Sequence, residues 1–149
     1  MAVHMRKQIR AGAASVLGAL ASIGDNVFVS RAEAIAAGKF PAIAIGTGSE
    51  TAEAETAFGP GRIVRRELEL RIEAVVMEND TYADTLDQVC LEVETALAND
   101  MALGCGAKWI GPPQTEIEFD GRGNQVVAVT VLTFTVAYFT AQNAPGVAQ

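Results

Sequence analysis

Alternation of apolar and polar residues is strongest between residues 62 and 78, and it defines the chain's clearest element. Leu68, Leu70, Ile72 and Ala74 fall on one side of this run, and Glu67, Glu69, Arg71 and Glu73 on the other. That is the period of two of a half-buried strand. A helix would scatter those apolar residues around its axis. At about 3.3 Å per residue the run extends about 50 Å, roughly three times a common strand. It is therefore expected to project from the domain or to bend at a bulge, and it needs partners.

Helical spacing governs two other stretches. Residues 3–23 place Ile9, Ala13, Val16, Leu17, Leu20 and Ile23 three and four apart, which predicts an amphipathic helix. Gly12 and Gly18 interrupt it at up to about 1 kcal/mol each relative to alanine, so they imply close backbone packing or a weak helix. Gly24 suits the C-terminal cap, followed by an Asp25-Asn26 turn. Residues 82–98 carry Leu86, Val89, Cys90, Val93 and Leu97 on one stripe, preceded by the capping residues Asn79, Asp80 and Thr81, and predict a second helix.

The remaining segments read as strands and connections. Residues 27–29 and 42–45 are short apolar strands, the second started by Pro41 and ended by Gly46. In residues 47–61 Glu50, Glu53 and Glu55 have no balancing base, and Gly59-Pro60-Gly61 closes the segment. We expect there a mobile acidic loop between two strands, within a long hairpin or loop extension around residues 46–66. Lys108, Trp109 and Ile110 suggest a short strand. Residues 115–119 and 126–139 form a hairpin whose second arm is apolar on nearly both faces and therefore central. Residues 140–149 read as an unanchored tail. The order predicts a single α+β domain, a mostly antiparallel sheet with two main helices packed on it.

Composition narrows the function classes. With 149 residues, 50% hydrophobic and 19% charged, the chain suits one folded domain with a sizeable core. A formal charge of −7 argues against a surface that grips phosphates, so nucleic acid near this protein is let through rather than held. No apolar run approaches the roughly 20 residues of a membrane helix. Arg6, Lys7 and Arg10 near the start precede no clear cleavage pattern, and Met5 offers a second start site. Cys90 and Cys105 are too few for a disulfide framework and lack metal-ligand spacing; Cys90 falls on the apolar face of its helix. The only histidine, His4, sits in an end expected to fray, which disfavours transition-metal and histidine-dependent chemistry.

Several constellations invite chemistry. Gly46-Thr47-Gly48-Ser49 has the look of a phosphate cradle but lacks the Lys-Ser/Thr ending and the following helix. Glu116, Glu118 and Asp120 alternate on one face and could hold a hard cation or act as an acid/base pair in a small hydrolase or metal-binding enzyme. Against this stands a solvated outer face, with Thr115, Ile117 and Phe119 as its buried counterpart. Glu67, Glu69, Arg71 and Glu73 form a charged ladder, and Arg62, Arg65 and Arg66 stand at its start. These could meet Glu50, Glu53 and Glu55 of an adjacent copy, or remain unpaired surface charge. Trp109, the single tryptophan, reads as core or as an interface anchor. The serines have no histidine in a nucleophilic arrangement.

A resemblance is carried by ordered segments. Met5-Arg6-Lys7-Gln8-Ile9-Arg10, Asn26-Val27-Phe28-Val29-Ser30-Arg31, Phe40-Pro41-Ala42-Ile43 and Arg66-Glu67-Leu68-Glu69-Leu70 come first. Leu86-Asp87-Gln88-Val89, Glu92-Val93-Glu94-Thr95-Ala96-Leu97, Thr115-Glu116-Ile117-Glu118 and Leu132-Thr133-Phe134 follow. Together, over residues 5–138, the chain resembles the tail terminator (minor tail protein U-like) family of long-tailed bacteriophages and related gene transfer particles. The resemblance implies an α+β fold and a non-enzymatic ring of six copies in the virion neck. That ring caps the head-proximal end of the tail tube, stops its polymerisation and joins the head connector or stopper, with DNA passing through the lumen. It implies no cofactor, metal or catalytic residue, no membrane, and synthesis in the host cytoplasm. Another neck or tail-completion protein of the same particle is the near alternative.

Overall fold

The computed structural model describes residues 2–30, 39–55, 58–77, 81–120 and 127–149, without the side chain of Asp120. In chain order the elements are α1 (Met5–Leu17), β1 (Val27–Val29), β2 (Ala42–Ala54), β3 (Ile63–Met77) and α2 (Tyr82–Asn99). They continue with β4 (Trp109–Ile110), β5 (Gln114–Asp120), β6 (Val127–Ala141) and β7 (Ala144–Ala148). The α+β expectation holds: the strands form one sheet, antiparallel except where β1 pairs β2.

The long alternating run becomes β3, and β6 supplies its partner over the whole length, from Ile63 opposite Ala141 to Met77 opposite Val127. The strand therefore does not project beyond the sheet. Its apolar set, Leu68, Leu70, Ile72, Ala74 and Val76, is buried and stands opposite Val136, Phe134, Leu132, Thr130 and Ala128. Both helices lie on that face. Met5, Ile9, Ala13 and Leu17 of α1 and Leu86, Val89, Cys90, Val93 and Leu97 of α2 join the strand residues in one core. Burying each large aliphatic side chain contributes about 1.5–3 kcal/mol, so this layer holds the domain together.

Several boundaries differ from the sequence reading. Helix α1 ends at Leu17 with Gly18 as its cap, and Gly24 instead takes a left-handed φ of 59° after the turns that follow. Gly12 does mark a close approach: a Cβ there would run into the backbone of Leu103. His4 is not frayed, since its Nδ1 accepts the Arg6 N–H at 3.1 Å and caps α1. The predicted loop after Gly46 is largely strand, because β2 continues to Ala54 against β3.

The predicted tail is the largest correction. Residues 140 and 141 extend β6, and β7 pairs back onto it. Gln149 N–H donates to the Phe139 carbonyl at 2.9 Å, and Gln8 Nε2 donates to the Gly146 carbonyl at 2.8 Å. Pro145 and Gly146 weaken any strand signal in the sequence, and the anchoring here is made by backbone groups that leave no pattern of side chains.

Candidate functional site

The acidic and basic residues around the β2–β3 hairpin are sorted by a single irregularity. Thr47 stands opposite Leu70, yet Glu50 stands opposite Leu68, so β2 carries one extra residue between them. This is a β-bulge, which re-aims the side chains beyond it. Before it Ile43 and Ile45 face the core; after it Glu50, Ala52 and Ala54 take that face, opposite Leu68, Arg66 and Val64. Glu53 points the other way, opposite Arg65. Gly48 lies inside the bulge, where a Cβ would collide with the Glu69 carboxylate, and Ser49 N–H donates to Glu69 Oε2 at 3.3 Å.

The inward turn makes Glu50 the centre of a polar cluster. Its Oε1 accepts from Arg6 Nη1 at 2.9 Å and from Arg66 Nη1 at 3.1 Å, and its Oε2 accepts from the buried Tyr138 hydroxyl. Arg66 Nε donates to Thr140 Oγ1 at 3.0 Å, so both ends of its guanidinium are held. The Glu50 side chain is 9% exposed and Arg66 14%, whereas Arg6 is 43% exposed. Burial, the hydrogen bond to Glu50 and the charge of Glu50 all push the Tyr138 phenol up from its ordinary value. Burial, then the neighbouring Arg6 charge, holds His4 below its ordinary value. The cluster ties the start of α1 to β2, β3 and β6.

The outward charges behave differently. Arg65 Nη2 lies 2.7 Å from Glu67 Oε1, both side chains more than a third exposed, and Arg71 lies 3.6 Å from Glu73. Such exposed pairs are worth about 0–1 kcal/mol. The arginines expected to reach an adjacent copy are thus engaged within the chain: Arg66 with Glu50, Arg65 with Glu67, and Arg62, through Nε, with Gln142 Oε1. Glu55 N–H donates to the Ile63 carbonyl at 2.8 Å and closes the hairpin stem, leaving its side chain exposed beside the tip.

The second candidate set falls on β5. Glu116 and Glu118 stand exposed on the face away from the helices, opposite Val131 and Val129; the Asp120 side chain lies outside the described residues. No group of three or more His, Cys, Asp or Glu able to hold a metal occurs among the described residues. The expected buried counterpart is missing: Ile117 is 70% exposed and Phe119 58%. Of α2, Tyr82 at its first position reaches β5, its ring 5.3 Å from that of Phe119.

Two features were not anticipated. Phe58, at the hairpin tip beside Gly59, is 91% exposed. Its signal was available as an aromatic beside a Gly-Pro-Gly turn. An apolar groove of about 310 Å³ opens between the end of α2 and the β4–β5 connection, lined by Leu97, Met101, Ile110, Pro112 and Phe134, with Glu94 at its rim. Trp109 is 39% exposed and packs against Gly111 beside that groove. Buried Cys90 is pushed up to about 11 by burial and nearby Glu94, against a hydrogen bond to Thr130, as suits a packing residue rather than a nucleophile.

No helix among the described residues is long and apolar enough to cross a membrane. Comparison with protein-family models finds no match, and comparison with curated proteins finds no significant match.

Proposed function

We propose that this chain is a tail terminator: a structural virion protein whose copies form a ring at the head-proximal end of a tail tube. The ring stops tube growth and joins the tube to the head connector. The observation that carries the proposal is the open edge of β2. β1 pairs only with Ile43, Ala44 and Ile45, so among the described strands the outer side of β2 from Gly46 to Ala54 has no partner. A strand edge of that length presents unpaired backbone groups that are a template for pairing with another chain. Closed cyclic assembly covers it in every copy at once.

The charge supports the same reading. At −7 per copy, the wall of a ring repels the phosphates of DNA passing through it, so the genome slides without the attachment that basic contacts would add. The ordered resemblance over residues 5–138 supports the neck location. The test is electron microscopy of particles carrying a tagged copy: the tag should mark the junction of head and tail in a single band. Labelling along the whole tube, or none at the junction, rejects the proposal.

A further inference from the structure

We infer that neighbouring copies join by seating Phe58 of one copy in the groove between α2 and the β4–β5 connection of the next. This deepens the ring reading above by assigning its contact. The two patches lie at different places in the fold: the tip is the turn joining β2 to β3, and the groove lies beside β6 on its other side. A knob and a pocket on separate patches make a head-to-tail contact, the kind that generates rings.

The features are complementary in size and charge. Phe58 is 91% exposed, so a large apolar side chain stands in water on a hairpin whose stem is fixed by Glu55 and Ile63. The groove, about 310 Å³ and walled by Leu97, Met101, Ile110, Pro112 and Phe134, has room for an aromatic ring. Beside the tip stand Glu55 and Arg62, and at the rim of the groove stands Glu94. Arg62 supplies the charge opposite to Glu94. Aromatic residues are enriched at interfaces, whose cores are ringed by a polar rim. A single side chain does not cover the roughly 1,600 Å² of a stable interface, so the strands flanking the tip supply the rest, including the open edge of β2.

Native mass spectrometry of three samples tests the contact: wild type, Phe58→Ser, and Ala98→Trp, which fills the groove from its rim. Phe58 and Ala98 are exposed, so both variants keep the fold, checked by circular dichroism. Each variant alone should associate about thirtyfold more weakly than wild type. Mixed one to one, they should form a pair that stops at two copies, because the Phe58→Ser copy still offers a groove and the Ala98→Trp copy still offers a tip. Rings from either variant at wild-type concentrations overturn the contact while leaving the ring reading intact. Open chains of wild type that both variants abolish uphold the contact and overturn the ring. A mixture without pairs, or wild type monomeric throughout, overturns the contact.

Discussion

Arg65 and Arg66 are neighbours in the chain and opposites in the structure. Arg66 lies on the core side of β3, 14% exposed, and shares the Glu50 carboxylate with Arg6. Arg65 lies on the outer side, 40% exposed, against Glu67. The residue types are the same, yet the consequences differ by several kcal/mol. An exposed pair is screened and contributes about 0–1 kcal/mol, whereas removing one partner of a buried pair leaves a stranded charge and costs about 3–5 kcal/mol. The side of the strand decides, and on β2 the side is set by the bulge between Thr47 and Glu50.

The largest break of this comparison is Glu50→Ala, which keeps the register but strands Arg66, so urea unfolding should show a loss of about 3 kcal/mol; a loss below about 1 kcal/mol would mean the cluster is solvated. Glu67→Ala, on the outer face, should stay within about 0.5 kcal/mol of wild type by the same assay.

The smallest effect is a pH dependence. His4 is held below its ordinary value in the folded chain, so the unfolded chain binds the proton more readily. Its contribution is present above the unfolded value, about 6.5, and is lost as pH falls through the lower folded value. A His4→Asn variant, which can still cap α1, should show a flatter stability profile below pH 6.5 than wild type. Parallel profiles would assign the pH dependence to other groups.

The legible part of the fold was what strict periodicity specifies. Leu68 to Ala74 announced β3 because alternation needs no knowledge of a partner, and the α2 stripe was visible for the same reason. The extra residue in β2 was not, because a bulge is defined by the opposing strand; Glu50, Glu53 and Glu55 therefore read as one acidic run although Glu50 turns inward. Gly48 was the available hint, since a glycine inside a strand often marks a bulge. The alternation of Thr115, Ile117 and Phe119 was correctly a strand, but period alone cannot tell whether a helix extends far enough to cover it. Strand β7 went unseen because its backbone, not its side chains, holds it. The candidate contacts were half legible: the charged residues were noticed, while Phe58 and the groove needed the three-dimensional arrangement.

The central claim is that copies of this chain close into a ring. Native mass spectrometry of the purified wild-type protein across a range of concentrations tests it most directly. The account predicts a discrete six-copy species that persists on dilution, with no larger ladder above it. A protein that remains monomeric throughout, or that grows into chains of unlimited length, would contradict it.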